Sequence, residues 1–407
     1  MGTIAKRILR KHEIKDLRMA MRFHFVFVLV ITAACCAAQV QTYYIRPVQT
    51  DPGYDPTEDS SAVSRNTTSQ VDKLFLFIGG TGSSSSTSYN ALRLLSAGLG
   101  FDFINLSYPN SVAAASLASD PDSMAFDHYR QELCFGTPVS DDVSVDSLNS
   151  IHTRTVRLLN YLDLTYPLQN WGQYLASPST LDWSRIVVGG HSQGSGHACY
   201  LAKQYAVDRV LMFSGPNDYS DFHSNSAHWV RQPGATSVSG HYSYLSLNDE
   251  AVAYDKQSDV IIGLGMLAGD DTTHVDPIPA PYGNSHCLYT TQPPGVVLLN
   301  HNVPIMLSAI NNDVWTYLLT SSTTTGIIEP GAGSGLSAFP NPASSVVYVN
   351  SSMSLGGEAY VLRCITGATA VQGRIPATDP AAVELSGLQP GIYFLSIGDR
   401  TVKVVVQ

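Results

Sequence analysis

The 407-residue chain carries 23 Lys and Arg against 33 Asp and Glu, a formal charge of −10, with ordinary hydrophobic content and only 14% charged residues. Seven of the basic residues lie ahead of residue 23 beside only two acids, so the remainder holds 16 basic and 31 acidic side chains, a balance of −15. Such a surface argues against nucleic acid and anionic membranes as partners, while the length accommodates a large core plus a second, smaller domain.

Residues 1–38 read as a signal-peptide region. A basic flank precedes the apolar run 23–34, and small residues follow up to Ala38, the expected cleavage point. The apolar run is too short for a membrane anchor. A lipoprotein cysteine at Cys35 fits poorly, because Ile31 to Ala34 lack the usual Leu-led approach, and translation could start at Met19 or Met21. Residues 39–70 are polar and without periodicity, so they are expected to form a loosely structured lead-in, with a glycosylation sequon at Asn66.

Leu74 to Ile78 form an apolar run suited to a buried strand, ending in Gly79-Gly80-Thr81-Gly82 and four serines. There is no P-loop lysine and the spacing does not fit a dinucleotide fingerprint. A helix is expected over Tyr89 to Ala97, a strand over Phe101 to Leu106, and one long amphipathic helix from Val145 to about Tyr166. Next comes Ile186-Val187-Val188-Gly189-Gly190-His191-Ser192-Gln193-Gly194, an apolar strand running through Gly-x-Ser-x-Gly into a small-residue helix. A serine at such a corner is forced into strained backbone geometry, and the glycines two residues away are required because a Cβ there would collide with the turn. Further strands are expected at Arg209 to Phe213, at Tyr242 to Leu247 and at Cys287 to Thr290, with a terminal helix around Trp315 to Leu319. The alternation implies a mostly parallel sheet with helices on both faces.

A serine hydroxyl attacks only if a histidine takes its proton and a carboxylate orients that histidine. On the elbow pattern the partners follow in the order serine, acid, histidine. His274, His286 and His301 lie late enough; His286 would sit at the wrong end of its strand, and His301 follows the last strand, so Ser192 and His301 are paired. Asp249 and Asp218 each follow a strand. Asp249 is preferred as the acid and Asp218 is the alternative, either as the acid or as a turn residue. The early loop and the residue after the nucleophile supply two N–H groups to a developing oxyanion, here Thr81 and Gln193. Asp270, Asp271 and Asp276 near His274 lack metal-ligand spacing and read as a loop; no metal or cofactor is expected. If any disulfide forms, Cys134 to Cys287 is the pairing expected.

Residues 71–320 resemble the α/β-hydrolase superfamily, within it a group of secreted bacterial hydrolases sharing the pattern of residues 183–194 (Trp-Ser-Arg-Ile-Val-Val-Gly-Gly-His-Ser-Gln-Gly) and of 213–218 (Phe-Ser-Gly-Pro-Asn-Asp). The resemblance implies a nucleophilic Ser192, a histidine matching His301 and an acid at Asp249 or Asp218. Ser195 stands where relatives often carry glycine and is expected to narrow the pocket. The substrate does not transfer with the fold.

A Ser/Thr/Gly linker spans 321–336, and beyond it short strands alternate with Gly, Pro, Asn and Asp turns, as in a small all-β sandwich. Phe339-Pro340-Asn341-Pro342-Ala343, the stretch Leu385 to Phe394 and the closing Lys403 strand resemble the C-terminal sorting domain of type IX secretion substrates, over 337–407. That resemblance implies the secretion machinery as partner and delivery across the periplasm and outer membrane to the cell surface or medium. The whole reads as an exported serine hydrolase, a carboxylesterase or lipase-like enzyme acting on small-molecule or polymeric esters. The alternatives are a peptidase of the same superfamily and a non-catalytic surface-binding protein.

Overall fold

The computed structural model describes residues 40–266, 272–294 and 299–321, together with 336–407 apart from positions 340, 342, 352–354, 365–368, 377–380 and 399. The expected signal region, nearly all of the 321–336 linker and the acids Asp270 and Asp271 lie outside the described residues.

Nine strands build the main sheet: β1 (Val40–Ile45), β2 (Ser61–Asn66), β3 (Leu74–Ile78), β4 (Asp102–Leu106), β5 (Ile186–His191), β6 (Arg209–Phe213), β7 (His241–Ser246), β8 (Thr272–His274) and β9 (Cys287–Thr290). Their spatial order is β1-β2-β4-β3-β5-β6-β7-β9-β8. From β4 to β8 every pairing is parallel, whereas β1 to β2 and β2 to β4 are antiparallel. Central strands of a parallel sheet are buried on both faces, which explains their unbroken apolar runs. Alternate residues sort cleanly between two cores. Leu74, Leu76, Ile78, Ile186, Val188, Val210 and Met212 join one core; Phe75, Phe77, Val187, Leu211, Phe213, Tyr242 and Tyr244 join the other.

Helices cover both faces. Helices α2 (Ala125–Phe135), α3 (Ile151–Thr165), α4 (Gln193–Gln204) and α5 (Tyr254–Gly263) bury their apolar residues in the first core, α1 (Asn90–Gly98) and α6 (Ala309–Thr320) in the second. Helix α3 begins at Ile151, later than its apolar spacing suggests, because the Ser150 hydroxyl caps it by accepting from Thr153 N–H.

The lead-in 39–70 is not loose. Strands β1 and β2 extend the sheet, and all six residues of β2 are buried although four of them, Ser61, Ser64, Arg65 and Asn66, are polar or charged. Their polar groups are paired within the fold: Ser64 Oγ meets Thr42 and Arg93, and Arg65 donates to the Gln169 carbonyl. Buried polar groups tolerated by partners leave no apolar alternation for a sequence reading to detect.

Residues 336–407 form two antiparallel sheets. One contains β10 (Leu336–Phe339), β11 (Val346–Ser351) and β14 (Ala381–Glu384); the other orders β13 (Thr369–Arg374), β12 (Ala359–Cys364), β15 (Gly391–Ile397) and β16 (Arg400–Val406). Val347, Val349, Leu362, Val383, Leu395 and Val404 are buried in a core of their own. Among the described residues, Cys134, Cys199, Cys287 and Cys364 form no disulfide, so the expected Cys134 to Cys287 bridge is absent. Cys134 Sγ instead lies 3.8 Å from His197 Nδ1 on α4.

Candidate active site

The C-terminal ends of the central parallel strands converge on one region, the usual ligand-binding edge of an open α/β sheet. Strand β5 turns into α4 at Ser192, whose φ of 56° and ψ of −125° are strained for any residue with a side chain. The flanking glycines make the corner possible. A Cβ on Gly190 would run into the Gly194 backbone, and one on Gly194 would run into the carbonyl of Ile78 in β3. The Ser192 N–H is tied to the Phe213 carbonyl at 2.9 Å, so β6 holds the corner from below.

His301 sits on a short 3₁₀ helix, Asn300–Ile305, after β9. Its Nδ1 is 2.6 Å from Asp249 Oδ2, and both side chains are buried. Asp249 also accepts from the N–H groups of Ala251 and Val252 and from Gln257 Nε2. Burial works to raise the Asp249 carboxyl, but the hydrogen bond and charge of His301 and these N–H donors outweigh it and hold it below the usual carboxylate value. An ionised acid facing Nδ1 fixes the proton on that nitrogen and leaves Nε2 with its lone pair. The histidine backbone is anchored as well: its carbonyl accepts from Ser214 Oγ at 2.6 Å and from His191 Nε2 at 3.2 Å.

His191, the residue before Ser192, is buried; burial first and the neighbouring His301 second push its pKa down to about 3. It is therefore neutral, and with Nε2–H given to the His301 carbonyl, Nδ1 accepts from Tyr89 Oη at 3.2 Å. Tyr89 Oη in turn accepts from Gly80 N–H at 3.0 Å. A single run of hydrogen bonds thus links the early glycine loop, the elbow and the histidine turn.

Thr81 and Gln193 flank Ser192 from two elements, and among the described residues neither backbone N–H donates to a protein acceptor. Their side chains bond each other, Thr81 Oγ1 donating to Gln193 Oε1 at 2.7 Å. The Gln193 amide further accepts from Ala114 N–H and Tyr129 Oη and donates to Tyr108 Oη. Ser192, His301, Thr81 and Gln193 line one cavity of about 560 Å³, with Ala113 to Ala115, Leu299, Ile305 and Met306 as its apolar wall. His301 is the only titratable group besides His191 and Tyr89 among the described residues of that lining.

Asp218 is elsewhere. Arg130 grips it with Nε at 2.9 Å and Nη2 at 2.5 Å, and Trp229 Nε1 donates to it at 2.8 Å. The pair is fully buried, so Asp218 is a structural counter-ion and the alternative role as partner of His301 falls away. Ser195 does not narrow the pocket either: its hydroxyl turns back onto the Ser192 carbonyl and packs against Gly215. His286 bonds the His241 carbonyl and stacks on Tyr242 at the opposite end of the sheet. His274 pairs with Asp276, whose carboxyl is buried in part but drawn down to about 2 by the hydroxyls of Thr290 and Thr291, the Thr291 N–H and His274. Among the described residues no three His, Cys, Asp or Glu side chains converge as metal ligands.

Sequence reasoning missed Asn217, whose Nδ2 lies 3.3 Å from Ser192 Oγ, and Arg130, which joins Asp218 to the Gln193 carbonyl. It also missed Asp59. Its carboxylate gathers Ser84 Oγ, Ser85 Oγ and both the N–H and hydroxyl of Ser86, immediately beyond the glycine loop.

Comparison with known families identifies one segment: residues 337–407 match the secretion system C-terminal sorting domain. The tail is a type IX sorting domain. The protein is accordingly a client of the type IX secretion machinery, exported to the cell surface or the medium. No curated protein matches the chain.

Proposed function

We propose that residues 71–320 are an α/β-hydrolase catalytic domain and that the protein is an exported serine hydrolase acting on carboxylic esters. The observation that carries the reading is that His301, held at 2.6 Å by the buried Asp249, lines one cavity with a strained Ser192. In that arrangement His301 Nε2 takes the Ser192 proton as Oγ bonds the ester carbonyl carbon, and the carbonyl π electrons move onto its oxygen. The N–H groups of Thr81 and Gln193 receive that oxyanion, a contribution of about 10²–10³ in rate per donor in comparable sites. Collapse returns the proton through His301 to the leaving alcohol, and water repeats the cycle on the acyl-enzyme. The wall of alanines, Leu299, Ile305 and Met306 suits an uncharged acyl group. Secretion accords with hydrolysis of an extracellular ester.

Turnover of a short-chain aryl ester by the secreted protein and by Ser192→Ala tests the proposal. Loss of about 10⁴-fold or more in kcat with the fold intact is expected; unchanged turnover contradicts it.

A further inference from the structure

Segment 214–218, Ser-Gly-Pro-Asn-Asp, crosses directly over the elbow. Ser214 holds the His301 carbonyl, and a Cβ on Gly215 would strike Ser195 Oγ and crowd the Ser192 carbonyl. Arg130 then clamps both partners of this crossing, donating to Asp218 on the strap with Nε and Nη2 and to the Gln193 carbonyl on α4 with Nη1 at 2.7 Å. Gly196 exists for that clamp, since a Cβ there would occupy the guanidinium's place. Between the two anchored ends lies Asn217, buried to 5% exposure and lining the cavity, with Nδ2 3.3 Å from Ser192 Oγ.

The amide is held at a cost: its Oδ1 is buried and no described group donates to it. A buried acceptor left unmade is unfavourable and calls for an explanation. Here the other end of the same amide reaches Ser192 Oγ, the oxygen that gives up its proton as it attacks. Because the Ser192 proton has to leave toward a base, Oγ meets Asn217 through a lone pair, which assigns Nδ2 to the near position.

Resting on the hydrolase reading above, we infer that Asn217 is a fourth catalytic residue, an N–H donor to Ser192 Oγ. As the Oγ proton passes to His301 Nε2 and the Oγ–carbon bond forms, negative charge collects on Oγ and Asn217 Nδ2–H stabilises it. In deacylation the Oγ–carbon bond breaks, Oγ takes the proton back from His301, and the same N–H assists its departure. Asp218 has a defined part in this: it is the anchor that fixes its neighbour over the nucleophile.

The test measures the second-order rate of fluorophosphonate labelling, kcat and KM for an aryl ester, and the unfolding midpoint. It compares wild type, Asn217→Ala and the near-isosteric Asn217→Asp. Labelling and kcat lower by about 10- to 100-fold, with KM changed less than threefold and a folded protein, is the expected result; Asp, which presents an acceptor to Oγ, should be the slower. Wild-type labelling rates in either folded variant overturn the role of Asn217 while leaving Ser192 as nucleophile. Absence of labelling in the wild type overturns the hydrolase reading and this inference with it.

Discussion

Two aspartates that the sequence offered for one role are separated by what surrounds them. Asp249 faces a histidine ring and backbone N–H groups at the cavity, and Asp218 faces a guanidinium and an indole in the interior. Their removal should therefore be felt in different measurements. Asp249→Asn leaves His301 without its tautomer-fixing acceptor, and kcat should fall roughly 10³- to 10⁴-fold with the protein still folded. Asp218→Asn leaves Arg130 as a buried charge without its counter-ion, and denaturant unfolding should register a loss of about 3–5 kcal/mol. The strand-end position of both acids was legible, and the preferred Asp249–His301 pairing is the one the structure brings together; the partner of Asp218 was not, because Arg130 lies almost ninety positions away on a helix whose charged, buried residues obscure its apolar face. Within that helix Glu132 accepts from the N–H groups of Val139, Ser140 and Val145, so even its carboxylates serve the interior. Ser192 itself was readable because the close approach at its two glycines is a local constraint written in five consecutive residues.

At the level of elements, the glycine loop that carries Thr81 is braced by the segments just ahead of β2 and just after β4, neither of which has a periodic signal in the sequence. Asp59, just ahead of β2, receives hydrogen bonds from three successive serines, while Asn110 Nδ2 donates to the carbonyls of Gly80 and Ser83 and Tyr108 Oη to that of Gly79. Partial burial would raise the Asp59 carboxyl, but the hydroxyl and N–H of Ser86, the Ser84 hydroxyl and the Ser60 N–H outweigh it and bring it down to about 2. A carboxyl with a folded value below its unfolded one stabilises the protein above the unfolded value, and that contribution is lost as pH falls toward the folded one. Asp59→Asn should thus lower the thermal midpoint at pH 7, and the difference from wild type should fade between about pH 4 and pH 2. A difference that persists unchanged at pH 2 would show that the carboxylate charge is not what holds the loop. The apolar strands β3, β5 and β6 could be read from their composition, since central parallel strands buried on both faces carry near-continuous apolar runs. Strands β1 and β2 could not, because their polar residues are satisfied by partners distant in the chain.

Across the whole molecule, export and the proposed chemistry reside in separate parts of the chain. The sorting domain at 337–407 has its own buried core, and the described residues that line the cavity with Ser192 all lie between Gly80 and Met306. Deleting 337–407 should therefore abolish export without abolishing ester turnover by the retained protein, as immunodetection in cell fractions and the aryl-ester assay would show. Equal loss of both would mean that the tail is needed for the catalytic region to fold. The tail was legible because its turn residues and closing motifs recur in a fixed order, whereas the substrate depends on cavity shape that no local motif encodes.

If Ser192 is an activated nucleophile, intact-mass measurement of the secreted protein before and after a fluorophosphonate probe will register it. A single adduct that maps to Ser192, and that is lost in Ser192→Ala, is the expected result. Folded wild-type protein that stays unmodified, or carries its adduct on another residue, would contradict it.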